Sequence, residues 1–155
     1  MAAVLSLGGT AMASALLPTT PACELLTEAE VSALLGSPAT QEGGNGTPIA
    51  DCYWTADMGV GLQVQLSYPE MFTPSGRSAA IQFDEYAASI KNIVKLEMIE
   101  GLGERAALYR NSEHPSAFHV MMAVNGYFIE MTVYEGDRDR IVVAMRAAAG
   151  RVPKS

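Results

Sequence analysis

The chain has 155 residues, of which 49 % are hydrophobic and 17 % charged, and its formal net charge is −7. This length suits one domain with one core, and so apolar a composition excludes a chain that is disordered over most of its length. The acidic charge repels phosphate backbones and anionic lipid, and the sequence has no basic run, so we expect no nucleic-acid partner.

Residues 1–21 form an apolar segment that carries no charged side chain. Ala13-Ser14-Ala15 fits the small-x-small pattern of a signal-peptidase site, although the segment lacks a positively charged start. The segment is too short, and too interrupted by glycine and proline, to span a bilayer. We interpret it as a signal-peptide remnant or a loose apolar tail, with an apolar helix packed on the domain as the alternative. Residues 22–152 are then a single exported domain.

Two cysteines, Cys23 and Cys52, permit one intramolecular disulfide. An oxidising compartment would form it, and closing a loop of about 30 residues contributes roughly 3.5 kcal/mol to stability. Two buried free thiols are the alternative. We expect no lipid anchor on Cys23, because Thr20 and Pro21 do not fit the residues that precede an acylated cysteine. Zinc is disfavoured, since no histidine stands at ligand spacing to either cysteine.

The sequence pattern predicts one helix and two strands in the first half of the domain. Thr27 and Glu30 form a capping box that begins the helix, and Gly36 ends it. Residues 39–48 are rich in glycine and polar residues and predict a flexible loop. Alternation of apolar and polar residues over 50–68 predicts a hairpin with one solvated face.

The second half begins with a helix and closes with another. Apolar residues at helical spacing predict a helix over about 77–95, followed by a short strand that ends near Arg110. Asn125-Gly126 is the preferred type I′ pair and predicts a two-residue hairpin turn. Asp137 caps the last helix, which ends at Gly150.

The predicted hairpin turn also fixes which side chains share a face. One face is wholly apolar, and its pairs are Val124 with Tyr127, Met122 with Ile129, Val120 with Met131, and Phe118 with Val133. The other face is mixed, and its pairs are Ala123 with Phe128, Met121 with Glu130, His119 with Thr132, and Ala117 with Tyr134. The mixed face is therefore either the outer face of the sheet or the floor of a shallow groove.

The predicted order of elements is α-β-β-α-β-β-β-α. Runs of adjacent strands between helices favour an α+β fold. We expect a mostly antiparallel sheet of five to six strands with about three helices packed against it.

The sequence shows no recognisable reaction centre. It has no Gly-x-Ser-x-Gly elbow and no phosphate-binding glycine loop with a lysine, and Gly101-Leu102-Gly103 fits a turn. Paired carboxylates are explained as solvated charges and helix caps. We expect neither enzymatic activity nor a cofactor.

Two residue patterns could suggest a metal site. His114 and His119, with Glu113 or Glu130, could outline a metal site, but five positions on an extended chain separate the two imidazoles widely. The nine methionines could suggest copper, yet several fall at core positions, where filling the core explains them better.

A set of short motifs occurs in a characteristic order along the chain. The set comprises Cys23, Leu25-Leu26-Thr27, Glu30-Val31, Leu35-Gly36, Cys52-Tyr53-Trp54, Gly101-Leu102-Gly103-Glu104 with Ala106, and the closing amphipathic helix. It resembles the small exported bacterial domains of unknown function found in lipoproteins and secreted proteins, over residues 22 to about 152. The resemblance implies export, a cystine between the two cysteine positions and an α+β sheet fold. It assigns no catalytic residue.

The leading hypothesis is a non-enzymatic periplasmic or secreted binding module for a protein or cell-envelope component. Contact would run through the mixed face of the sheet or the loops at 39–48 and 69–76. The candidate contact residues are Tyr68, Met71, Phe72, His119 and Glu130. One alternative is a carrier of a small apolar ligand between sheet and helix. The other is a metal-binding protein or enzyme that uses His114 and His119.

Overall fold

The computed structural model describes residues 21–44 and 49–154, so the interpretation of the apolar segment falls outside the described residues except for Pro21. The helices are α1 (Glu28–Leu35), α2 (Ala79–Ile90) and α3 (Arg138–Arg151). The strands are β1 (Ala39–Gly43), β2 (Ala50–Ala56), β3 (Gly61–Ser67), β4 (Glu97–Met98), β5 (Arg105–Tyr109), β6 (Ala117–Val124) and β7 (Tyr127–Tyr134). None of the described helices combines the length and apolar character needed to cross a membrane.

The strands form one sheet in the order β1-β2-β3-β7-β6-β5-β4, and every neighbouring pair is antiparallel. The α+β class and the antiparallel sheet are therefore confirmed. The sheet consists of two meanders, β1–β3 and β4–β7, which meet at β3 and β7. Helix α2 connects the meanders, so that the second one begins at the far edge and returns to the centre.

Two predicted segments differ from the structure, and both differences add a strand. The flexible loop predicted over 39–48 contains β1, an edge strand that pairs with β2 through a register shift near Gly43. Its apolar signal is confined to Ala39, which is buried, so polar composition concealed it. The helix predicted over 77–95 spans only 79–90, and the chain then turns into the two-residue strand β4. The sheet therefore has seven strands instead of five to six.

The last hairpin has the predicted register at every pair, on both faces. Asn125 and Gly126 have φ angles of 51° and 81°, as a type I′ turn requires of its two central residues. The capping box at Thr27 and Glu30 and the cap at Asp137 are also confirmed. Each of these signals acts within a few residues, which explains why the sequence sufficed to find them.

Helices cover the sheet on both faces, and this divides the core in two. Helices α1 and α3 lie on the wholly apolar face and build the larger core with residues such as Val31, Ile129 and Met145. Helix α2 lies on the mixed face, where Phe83 packs with Met121 and Phe128 in a smaller core. Helix α2 packs mainly on β6 and β7. On β2 and β3 the mixed face carries exposed or half-buried polar side chains, among them Tyr53, Thr55 and Gln63.

A disulfide joins Cys23 to Cys52, with 5.0 Å between the Cα atoms, as predicted. It fastens the segment before α1 to the second strand. Arg151 at the end of α3 reinforces this junction, since its guanidinium donates to the Leu25 carbonyl at 3.0 Å and to both Glu30 carboxylate oxygens at 2.8 Å. The hydrogen bond from Arg151 lowers the pKa of Glu30 to about 2.

Candidate functional site

Beside α2, the mixed face of the sheet carries a row of polar side chains from adjacent strands. The sheet register places Gln63 beside Thr132, Thr132 beside His119, and His119 beside Tyr109. Strand alternation points these side chains to the same face. The row therefore runs across β3, β7, β6 and β5 towards the edge of α2.

Three adjoining cavities lie along α2 above this face. The central one, of about 70 Å³, is lined by Gln63, Gln65, Tyr86, Tyr109, His119, Glu130 and Thr132, among others. Glu130 also lines a cavity of about 290 Å³ that reaches Met71 and Phe72 in the loop after β3. Tyr86 and Tyr109 also line a cavity of about 280 Å³ that reaches Asn111 in the loop after β5. We call these three cavities together the polar trough.

His119 is held as a neutral imidazole in one tautomer. The Asn111 Oδ1 atom accepts from the backbone N–H of His114 at 2.7 Å, which orients the amide so that Nδ2 faces His119 Nε2 at 3.3 Å. An amide nitrogen only donates, so Nε2 accepts and the ring proton is on Nδ1, 3.3 Å from the Thr132 oxygen. The ring also stacks on Tyr109, with 5.1 Å between centroids. Burial and the neighbouring His114 lower the pKa of His119.

We expect His119 to make the folded state less stable as the pH falls. The unfolded chain takes up the proton at its ordinary pKa of about 6.5, whereas burial and the neighbouring His114 make the folded chain take it up only at a lower pH. The His119 contribution is therefore fully present above that pH and decreases below it. Unfolding free energies at pH 7.5, 6.5 and 5.5 should fall more steeply for the wild type than for His119→Gln.

The matched control for this prediction is His114→Gln, because His114 is an exposed loop residue. Its pH profile should stay close to that of the wild type, but be slightly shallower, because the smaller of the two causes of the lowered His119 pKa is removed. Parallel profiles for the wild type and His119→Gln would contradict the assignment of a neutral, half-buried His119.

Glu130 lies at the centre of the polar trough without a partner. It is half-buried, it stands directly opposite Gln65, and neither side chain makes a hydrogen bond or ion pair with a described residue. Burial raises the pKa of Glu130. Among the described residues that line the trough, Arg77 is the only cation, and it is already paired with Glu85.

Two tyrosines form one wall of the central cavity. The hydroxyls of Tyr86 on α2 and Tyr109 on β5 are 3.0 Å apart, so one donates to the other. The donating arrangement leaves one hydroxyl proton available to a ligand. Burial raises the pKa of Tyr109, helped by the bond to Tyr86, so Tyr109 stays a neutral phenol.

The structure brings together four of the five contact residues predicted from the sequence. His119 and Glu130 line the central cavity, and Met71 and Phe72 meet Glu130 in the next one. Phe72 is largely buried and contributes mainly to the smaller core. Tyr68 does not join them, because it packs on the larger core, edge-to-face with Tyr127 at 6.2 Å between ring centroids.

Several residues of the trough were not predicted from the sequence as contact residues, and they differ in how visible they are in it. Gln63 and Gln65 were visible as the polar half of an alternating strand. Tyr86 was counted only as an apolar position of α2, and Asn111 carried no pattern at all. Both depend on where α2 and the loop after β5 pack, which no local pattern encodes.

The two alternative functions, a metal site and a carrier of an apolar ligand, stay predictions. Both ring nitrogens of His119 are engaged, and the described residues include no group of three or more His, Cys, Asp or Glu that could hold a metal ion. An apolar groove of about 300 Å³ does occur, but it lies on the surface between α1 and α3, with Val143 exposed along it. The carrier hypothesis places its ligand between sheet and helix, where the cavity of about 280 Å³ combines apolar residues such as Ile90 and Val94 with the polar Tyr109.

The geometry therefore gives a polar trough whose central carboxylate, Glu130, has no partner in the part of the chain that the structure describes. No protein-family model, curated protein or solved structure matches this chain.

Proposed function

We propose that the protein is a non-enzymatic exported binding module, periplasmic or secreted, that holds a polar segment of a protein or cell-envelope partner in the polar trough. The observation that carries the proposal is the pair Gln65 and Glu130, two half-buried polar side chains without partners among the described residues. Neither side chain is fully buried, but burial raises the pKa of Glu130, so its charged form is partly desolvated at a cost in free energy. A partner that supplies the missing hydrogen bonds would offset that cost.

The shape of the trough favours an extended ligand over a compact one. Its cavities adjoin one another through shared residues, Glu130 on one side and Tyr86 with Tyr109 on the other. The central cavity is small, at about 70 Å³, so it accommodates a single polar group of a longer chain. The flanking cavities then receive the neighbouring parts of the same segment.

The engagement of His119 favours binding over catalysis. A general base needs a nitrogen free to take a proton from a substrate. In this structure Nε2 accepts from Asn111 and Nδ1 faces Thr132. We interpret His119 as a support that fixes the loop after β5 at the rim of the trough.

Export is supported by the disulfide and by the sequence resemblance. A structural disulfide between two buried cysteines is typical of proteins that fold outside the reducing cytosol. The ordered motifs shared with small exported bacterial domains point to the same compartment.

If Glu130 serves binding and does not support the fold, replacing it should stabilise the protein. Glu130→Gln should raise the midpoint temperature of unfolding at pH 7, because glutamine does not carry the charge that burial penalises. The folded-state pKa is raised above 4.5, so the penalty is small at pH 4, where the carboxyl is mostly protonated in both states, and grows as the pH rises. Thermal unfolding at pH 7 and pH 4 measures both values.

Glu104→Gln is the matched control, since Glu104 is exposed and its substitution changes the net charge by the same amount. It should leave the midpoint nearly unchanged at both pH values. A Glu130→Gln variant that is less stable than the wild type at pH 7 would show that Glu130 supports the fold instead of a ligand.

Site-specific photo-crosslinking tests the proposed function itself. A benzophenone side chain at Met71, which is 42 % exposed and lines the trough, should give a discrete adduct in envelope extract. The same group at the exposed Arg146 on α3, on the opposite side of the sheet, should not. The Met71 adduct should weaken in a Gln65→Trp background, which fills the central cavity. Equal labelling from both positions, or no adduct from Met71, would overturn the proposal.

A further inference from the structure

We infer that the group recognised at the centre of the trough is a cation, an ammonium or guanidinium of the partner, with Glu130 as its counter-charge. This inference rests on the proposed function and specifies its ligand. The juxtaposition behind it is a carboxylate and an amide that have no partner among the described residues, beside two hydrogen-bonded tyrosine hydroxyls, around one small cavity.

The acceptors in the central cavity match the donors of a cation. Glu130 offers two carboxylate oxygens, and Gln65, opposite it on the neighbouring strand, offers its amide oxygen. The hydroxyl pair of Tyr86 and Tyr109 adds further lone pairs. An ammonium has three donors and a guanidinium five, and neither has an acceptor, so both satisfy such a set.

No lysine or arginine of the described residues lines the central cavity. Arg77 in the neighbouring cavity is bound to Glu85, and Arg105 on β5 is bound to Asp84 at 3.2 Å. His119 is neutral, because its Nε2 accepts from Asn111. Glu130 therefore remains without a positive partner among the described residues.

The charge of the surroundings selects the sign of the ligand. The chain carries a formal net charge of −7, and Asp51 lies opposite Gln65 on the next strand. A carboxylate or phosphate group would be repelled from this site. A neutral donor would satisfy hydrogen bonds but would leave the charge of Glu130 uncompensated.

A double-mutant cycle tests the inference without knowledge of the partner. Gln65→Lys places an ammonium directly opposite Glu130, at the spacing of a cross-strand pair. In the wild-type background this substitution should raise the midpoint temperature of unfolding by about 3 °C at pH 7. The same substitution in a Glu130→Gln background should give no increase. Equal effects in both backgrounds would overturn the inference.

A pair of peptides tests recognition in trans on the full chain. The probe is a capped alanine pentapeptide with a central lysine, and its partner carries the same lysine acetylated on Nε. The lysine peptide should shift the amide resonances of Gln65 and Glu130 and bind about tenfold more tightly than the acetylated one. Glu130→Gln should remove this preference, whereas Glu104→Gln should retain it.

The two experiments separate the inference from the proposed function. Equal affinity for both peptides, or no binding of the lysine peptide, together with a trough-specific adduct from Met71, would overturn the cationic ligand but retain the binding module. Loss of the adduct as well would overturn both.

Discussion

Replacing Cys23 and Cys52 together by alanine should lower the free energy of unfolding by roughly 3.5 kcal/mol, the value expected for opening a loop of about 30 residues. Both side chains are buried, at 6 % and 0 % exposure, so the bridge is protected in the folded state. The midpoint of thermal unfolding should fall by about 10 to 14 °C. Calorimetry or circular dichroism of the oxidised wild type and the double variant measures this difference.

Chemical reduction provides the control for the disulfide. Wild-type protein unfolded and refolded in a phosphine reductant should lose the same stability, whereas the double alanine variant should not respond to the reductant. Thiol titration of unreduced, denatured wild type should find no free sulfhydryl. Two reactive thiols in that experiment would contradict the bridge and remove the main structural support for export.

Replacing Gly103 by alanine should destabilise the protein by roughly 3 kcal/mol, the sum of a left-handed backbone and an overpacked contact. Gly103 has a φ of +60°, and an added methyl group would lie 2.5 Å from the Ala123 carbonyl oxygen and 2.6 Å from Val124 Cγ2. The hydrogen bond from the Glu104 amide to the same carbonyl, at 2.9 Å, holds the two chain segments at this distance. The backbone cannot yield without breaking that bond.

Gly101 offers a matched control two positions earlier. Its φ is +68°, but an added methyl group would meet nothing within 4 Å. Gly101→Ala should therefore cost only the backbone term, about 1 kcal/mol. Denaturant unfolding of the two variants measures both losses, and equal losses would show that the close approach at Gly103 contributes nothing.

We expect mutation of the disulfide or of Gly103 to lower the stability of the protein, and mutation of Glu130 to raise it. The disulfide and Gly103 belong to the scaffold, so their replacement removes a constraint or creates a clash. Glu130 is a half-buried carboxylate with no ion-pair partner among the described residues, so its replacement should relieve a cost. A side chain that weakens the fold but remains half-buried beside an unpaired amide is what a binding site of this kind requires.

What the sequence by itself determined are the features encoded within a few residues or in a regular alternation. The Thr27 capping box, the Asn125-Gly126 turn and the complete register of the last hairpin follow from local hydrogen bonds and from the two-residue period of a strand. The pairing of Cys23 with Cys52 followed from there being just two cysteines in the chain. The α+β class followed from the order of these elements.

What only the tertiary structure decided is which distant segments meet. The sequence does not show that β3 lies beside β7, yet this pairing sets Gln65 against Glu130 and so creates the centre of the trough. Nor does it show that α2 packs mainly on β6 and β7, or that Asn111 reaches His119. Such contacts depend on the packing energy of the whole sheet. Each contact is weak, and the residues that make it are too far apart in the chain to leave a local pattern.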